Sequence, residues 1–200
     1  MSVTNLSRCD IRPEFILLVS LCYLFFDAEA TAAIFMSAAV HEAGHMLMIH
    51  LLGGKIEKVS FGGSGLELKY SGSDSSVEGF FFALGGPMFG VLLMAAVRNY
   101  VQVSSFAAQL WNMSFVLNAW NLLPILPLDG GKMIYYLLSL LVSYETAYKI
   151  CMLLFWTVVG ILVFGTVLLL LYAKSFILLP AVCSLVIYGC KMSVSGVKSI

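Results

Sequence analysis

The stretch Thr31–Leu52 reads TAAIFMSAAVHEAGHMLMIHLL and places three histidines and a glutamate inside an apolar run. About 20 apolar residues are enough to cross a bilayer as one helix. Ionisable side chains inside such a helix are costly and indicate a function or a paired partner. The stretch therefore predicts a membrane helix that carries reactive side chains.

The composition of the whole chain agrees with a membrane protein. Of its 200 residues 60% are hydrophobic and 11% are charged, whereas a soluble domain is about half apolar and about a quarter charged. Eleven basic residues balance eleven acidic residues, so the sequence shows no basic surface for a nucleic acid. The five cysteines form no CxxC pair and are interpreted as small buried hydrophobic residues.

The apolar stretches predict an all-α polytopic membrane protein with about six transmembrane helices in a single domain, residues 1–200. A shorter helix is expected from Lys132 to Val142, after a break at Pro124 and Pro127. The six spans are expected at Phe15–Ala30, Thr31–Leu52, Val77–Val97, Phe106 to Pro124, Ala147–Tyr172 and Ser175–Cys190.

The segment between the second and third spans differs in composition. Gly53–Ser76 is rich in glycine, serine and charged residues. Within it Ile56–Phe61 and Leu66–Tyr70 have the pattern of two short strands around a glycine-rich turn. We therefore expect a small membrane-associated β-hairpin at this place.

The basic residues predict the orientation, because cytoplasmic loops carry an excess of lysine and arginine. With six spans and an internal N-terminus, only Arg98 and Lys174 fall outside. Both termini are therefore expected in the cytoplasm. The residues on the inner side are then Arg8, Arg12, Lys55, Lys58, Lys69, Lys132, Lys149, Lys191 and Lys198.

The second span contains an HExxH motif, His41-Glu42-Ala43-Gly44-His45. Residues four apart lie on one helical face, so His41 and His45 can present imidazoles to one zinc ion. Glu42 lies about 100° round the helix and is placed to accept a proton from an attacking water. A polar cluster that ties helices together is the alternative. His50 lies about 180° from His41 and is assigned to the interface rather than to the metal.

A catalytic zinc usually takes three protein ligands, so a third one is needed. The strongest candidate is Asp129, the only acidic residue between Glu78 and Glu145. It lies between two prolines, Pro124 and Pro127, and two glycines, Gly130 and Gly131, so a broken helix can aim its carboxylate at a metal. Glu57 and Glu67 remain possible ligands, although a solvated face explains them better. Asp129 could instead cap the helix expected near Lys132.

Two motifs together resemble a known family. HExxH in one apolar span and NxxPxxPLDG about 80 residues later are similar to the motifs of the site-2 proteases, which are intramembrane zinc metalloproteases. The resemblance implies that His41, His45 and Asp129 bind one Zn²⁺ and that Glu42 is the catalytic base. It implies that Asn121 helps to bind an extended substrate.

The arrangement looks most like a sporulation-factor-processing branch of that family, with two departures. The family often has an asparagine three residues after Gly-Gly-Pro, where this chain has Gly90, so no side-chain contact is assigned there. The branch often carries a C-terminal nucleotide-sensing CBS domain, and this chain ends about ten residues after its last expected span.

The resemblance implies a protease that cleaves a membrane-anchored protein within or next to a transmembrane segment and releases the product to the cytoplasm. It implies a multi-pass protein of a bacterial cytoplasmic membrane, with the lipid bilayer and regulatory membrane proteins as partners. The alternatives are an inactive relative that binds membrane substrates, a CAAX-type membrane protease with a glutamate as third ligand, and a zinc-binding transporter. The last two spans carry few polar residues for a transport path.

Overall fold

The structure is a computed structural model that describes residues 9–11, 13–62, 65–71, 75–173, 182–183, 185–187 and 189–190. The chain divides into two compact units, Met1–Asn121 and Leu122–Ile200. The first unit contains the helices α1 (Pro13–Phe25), α2 (Ala28–Leu51), α3 (Ser76–Val97) and α4 (Ser105–Asn121), and the strands β1 (Cys9–Ile11), β2 (Lys55–Gly62) and β3 (Gly65–Ser71). The second contains α5 (Asp129–Leu138) and α6 (Tyr144–Ala173).

The first predicted span ends earlier than expected, because Asp27 begins the next helix. The Asp27 carboxylate accepts a hydrogen bond from the Ala30 backbone N–H at 2.7 Å and forms the N-cap of α2. An aspartate at this position satisfies an N–H that has no partner within the helix. As a result α1 stops at Phe25, and Glu29, which belongs to the expected first span, lies in the first turn of α2.

Helices α2 and α4 run parallel with one fixed register. Ser105 Oγ donates to Glu29 Oε2 at 2.6 Å, the hydroxyls of Ser37 and Ser114 are 2.9 Å apart, and His41 contacts Asn118. The two members of these pairs are 76, 77 and 77 residues apart in sequence. A nearly constant separation means that both helices run in the same direction, which places the HExxH motif beside the C-terminal half of α4.

Helix α3 packs closely against α2 through glycine. A Cβ atom added to Gly44 would touch the carbonyl oxygen of Gly85, and one added to Gly85 would lie 2.6 Å from the carbonyl oxygen of Gly44. Small residues at such a crossing let two membrane helices approach backbone to backbone. Pro87 lies inside α3 and has no N–H for the carbonyl one turn earlier.

The predicted hairpin is present, with one further strand. β2 and β3 pair antiparallel, with Val59 opposite Leu68, and the register shifts between Ile56 and Lys58. The sequence did not predict β1, which pairs parallel with β2, so the described sheet has the order β1-β2-β3. Three residues of a strand are too few for a pattern to be recognised.

The second unit has its own apolar core. Leu126 and Tyr135 pack with Ala147, Tyr148 and Cys151 of α6. Helix α5 begins at Asp129, three residues earlier than expected from Lys132, and α6 begins at Tyr144 rather than Ala147. Most of the sixth expected span, Ser175–Cys190, lies outside the described residues.

Three helices of the described chain are long and apolar enough to cross a membrane. They span Ala28–Leu51, Ser76–Tyr100 and Tyr144–Tyr172. The 17-residue α4 and the apolar part of α1, Phe15–Phe25, are shorter. The described residues thus form a mostly helical fold with three candidate membrane spans and a small sheet, and the expected number of six spans stays a prediction.

Candidate metal centre

His41 and His45 converge on one point beside α2. Their Nε2 atoms are 3.3 Å apart and their ring planes cross at 79°. Two nitrogen ligands at about 2.0–2.1 Å from a tetrahedral zinc ion are separated by about 3.3 Å. The spacing of the two nitrogens therefore fits a pair of ligands to one metal ion, as the spacing of the motif predicts.

The other ring nitrogen of each histidine faces an oxygen acceptor. His45 Nδ1 donates to the backbone carbonyl of Phe82 on α3 at 2.7 Å, and His41 Nδ1 lies 3.4 Å from Asn118 Oδ1 on α4. A carbonyl or amide oxygen can only accept, so both contacts place the imidazole proton on Nδ1. Gly86 N also lies 3.3 Å from His45 Nδ1, but a protonated Nδ1 cannot accept from it. In this tautomer each Nε2 carries the lone pair that can bind a metal.

Gly86 of α3 makes room for this centre. A Cβ atom at residue 86 would collide with the Nε2 atoms of both histidines and would lie 2.7 Å from His45 Cε1. Only glycine has no side chain to place there. The Gly-Gly-Pro stretch of α3 therefore serves both the close crossing with α2 and access to the two imidazoles.

Gly86→Ala is expected to weaken zinc binding, because the added methyl occupies the space next to both Nε2 atoms. Displaced rings lose the orientation that is worth about 10- to 100-fold in metal affinity. Competition with a chromophoric chelator measures this affinity on the detergent-purified chain. Gly160→Ala is the matched control, since a Cβ at Gly160 of α6 meets nothing within 4 Å. Unchanged affinity in Gly86→Ala would contradict the assignment of this space.

Glu42 and His50 lie on the same helix with different surroundings. Glu42 lies between His41 and His45 in sequence, and its side chain is half-buried. His50 is exposed in the last turn of α2. An exposed end-of-helix position agrees with the assignment of His50 to the interface. The role of Glu42 as a base is a chemical expectation.

In the second unit, Asp129 is buried, at 5% exposure, and is the first residue of α5. The helix is capped by Leu128 without a side-chain hydrogen bond, so the alternative in which Asp129 acts as an N-cap does not hold. Lys132 Nζ lies 3.7 Å from Asp129 Oδ1 and is itself 42% exposed. A Cβ at either Gly130 or Gly131 would meet backbone atoms of residues 122–126, so these glycines let the first turn of α5 lie against the preceding segment.

The two asparagines at the end of α4 differ from the expectation. Asn121 is half-buried, and its Nδ2 donates to the Leu117 carbonyl one turn earlier at 3.1 Å. Asn118, which the sequence analysis missed, is 5% exposed and contacts His41. The available signal was an amide inside an apolar run, because a buried amide needs a partner.

The alternative ligands lie on the sheet. Glu57 is exposed on β2, as expected for a solvated face. Glu67 lies on β3, and its side chain is outside the described residues. By contrast, His41 and His45 of the first unit converge on one point, and Asp129 of the second unit is buried.

Comparison with solved structures defines the class of fold. The chain matches the site-2 protease from Methanocaldococcus jannaschii with a TM-score of 0.71 at 20% sequence identity, over 96% of this chain and 93% of that chain. The fold is therefore that of a site-2 protease. No protein-family model matches the chain.

One curated protein is also similar to this chain in sequence. The chain is 25% identical over 150 residues to Stage IV sporulation protein FB of Bacillus subtilis strain 168, which covers 72% of this chain. The match spans 52% of the relative, so the chain corresponds to about half of its length. The shared fold agrees with the resemblance to site-2 proteases that the paired motifs carry.

Proposed function

We propose that the chain is an intramembrane zinc endopeptidase that cleaves a membrane-anchored protein within or next to its transmembrane segment. The observation that carries the proposal is the pair of Nε2 atoms 3.3 Å apart beside Gly86, within a site-2 protease fold. Two imidazoles on an apolar helix would be costly without a metal or another partner. The paired HExxH and NxxPxxPLDG motifs point to the same activity.

The proposed ligands are His41, His45 and Asp129. Two neutral imidazoles and one carboxylate form a ligand set that suits zinc, and three protein ligands leave one position open. When bound, the metal polarises the peptide carbonyl and lowers the pKa of water to about 7. Asp129 is buried at the start of α5, where its negative charge is also favoured by the helix dipole.

Glu42 is the proposed general base and acid. Its carboxylate takes a proton from the attacking water and then gives it to the nitrogen of the leaving amine. Glu42 adjoins His41 in sequence and points about 100° away from it around α2. This direction lets the carboxylate reach the water without competing for the metal.

The substrate has to be extended at the scissile bond, because a helix hides its backbone. We propose that it pairs with the three-stranded sheet as an added strand and that Asn121 contacts its backbone. β2 is the central strand of the described sheet, so an added strand would pair with β1 or β3. Rotation of the Asn121 side chain would release Nδ2 from the Leu117 carbonyl.

The proposed setting is the cytoplasmic membrane of a bacterium. The distribution of lysine and arginine supports cytoplasmic termini and release of the product to the cytoplasm. Regulatory membrane proteins are proposed as partners beside the substrate.

Removal of zinc should abolish the activity and its return should restore it. We would express the wild-type chain and Glu42→Gln in bacterial membranes and compare the membrane proteins that accumulate in each strain. A protein that accumulates only with Glu42→Gln is a candidate substrate. One such candidate would then be reconstituted with the purified chain in liposomes. Cleavage is expected to stop after dialysis against a chelator and to resume with one equivalent of Zn²⁺. Zinc binding without any cleaved candidate would instead favour an inactive relative, and cleavage that survives complete removal of metal would contradict the proposal.

A further inference from the structure

We propose that Asn118 is a positioning residue that orients His41 toward the metal. The proposal rests on the proposed function, since it concerns the same metal centre. It adds a residue that lies outside both motifs and that acts through His41 without touching the metal.

Asn118 contacts His41 in a buried position. Asn118 Oδ1 lies 3.4 Å from His41 Nδ1, and both residues are at least 95% buried, with exposures of 5% and 2%. An amide oxygen is an acceptor, so it keeps the imidazole proton on Nδ1 and the lone pair on Nε2. Outer partners of this kind fix ring orientation and raise the basicity of a ligand histidine.

The two histidines differ in the kind of acceptor that Nδ1 contacts. His45 Nδ1 is held by the backbone carbonyl of Phe82, which no substitution removes. In His41 the corresponding acceptor is a side chain. The orientation of one of the two ligands therefore depends on the residue type at position 118.

Helix α3 leaves space for the side chain of Asn118. A Cβ atom added to Gly90 would collide with Oδ1 and Nδ2 of Asn118 and would lie 2.6 Å from Cγ. The Nδ2 end of the amide faces Met94 Sδ at 3.9 Å, four residues further along α3. Gly90 and Met94 thus hold the amide from one side, with its oxygen toward His41. The position of the Asn118 amide explains why residue 90, three positions after Gly-Gly-Pro, is a glycine.

The register of α2 and α4 places Asn118 beside His41. The contact between His41 and Asn118 continues the series that Ser105 with Glu29 and Ser114 with Ser37 begin. Ser114 lies one helical turn before Asn118 and faces α2 in the same way. It provides a matched interhelical polar contact that does not involve a histidine.

The test compares variants by zinc affinity and by the rate of zinc loss to excess chelator, with detergent-purified chain. Asn118→Leu keeps the branched shape of the side chain, although it is bulkier, and removes the acceptor, so it is expected to lower zinc affinity about 10- to 100-fold. Asn118→Asp keeps an oxygen toward Nδ1 and is expected to stay within a few-fold of the wild type. Gly90→Ala should resemble Asn118→Leu, because it displaces the amide without changing its chemistry.

Ser114→Ala is the control for interhelical packing. It removes the hydroxyl contact with Ser37 and should lower thermal stability slightly while leaving zinc affinity unchanged. Absorption of bound Co²⁺ adds a spectroscopic readout that a packing effect alone would not move. Asn118→Leu with wild-type zinc affinity, or Asn118→Asp as weak as Asn118→Leu, would overturn the role of Asn118. A wild-type chain that binds no zinc would instead contradict the proposed function.

Discussion

Glu42→Gln is expected to lower the rate of peptide-bond cleavage by about 10²- to 10⁴-fold, the usual contribution of a general base. Glutamine has the same size as glutamate and cannot accept the proton of the attacking water. Zinc should remain bound at one equivalent, because His41, His45 and Asp129 are unchanged. Cleavage of a reconstituted substrate and zinc content of the same sample measure the two properties separately.

The matched control is Glu29→Gln on the same helix. Glu29 accepts a hydrogen bond from Ser105 at 2.6 Å, and a glutamine oxygen can still accept it. This variant should therefore cleave at the wild-type rate. If Glu42→Gln retains zinc and also cleaves at the wild-type rate, the assigned role as base is wrong.

The sequence predicted the elements that follow from long periodic patterns. The second and third spans agree with α2 and α3 within three residues at each end. The hairpin agrees with β2 and β3 within one residue at each end. Apolar length and glycine-rich turns are local signals, so a single sequence contains them.

The sequence could not predict features that arise from tertiary contacts. A polar residue near a span end has two interpretations, and Asp27 proved to be a helix cap. The pairing of β1 with β2 joins residues about 50 positions apart, and no local pattern encodes it. The contact between Asn118 and His41 depends on the register of two helices separated by 77 residues.

The site was predictable where chemistry limits the choice. Two histidines at a spacing of four on an apolar helix have few uses other than metal binding, and their Nε2 atoms do converge. The third ligand was harder, because Asp129, Glu57 and Glu67 all remained open. Exposure of Glu57 and burial of Asp129 favour the aspartate, and a substitution can decide between them.

Asp129→Ala is expected to reduce zinc affinity by more than the roughly 10- to 100-fold cost of losing an outer hydrogen-bond partner, because it removes the proposed third ligand. The two imidazoles that remain carry no charge to neutralise Zn²⁺. Cleavage should be lost together with the metal, in contrast to Glu42→Gln, where the metal stays. Zinc stoichiometry after gel filtration and chelator competition measure the loss.

Two further variants separate the ligand role of Asp129 from a structural one. Lys132→Ala removes the neighbouring ammonium group, which is 42% exposed and 3.7 Å from Asp129 Oδ1. It should leave zinc affinity nearly unchanged, because a long contact to a partly solvated ammonium group is worth little. Glu57→Ala should also leave zinc bound, since Glu57 is exposed on β2. Little zinc lost from Asp129→Ala and much lost from Glu57→Ala would move the third ligand to the sheet. The pair of imidazoles would then have to be completed from β2, and the PLDG segment would need another explanation.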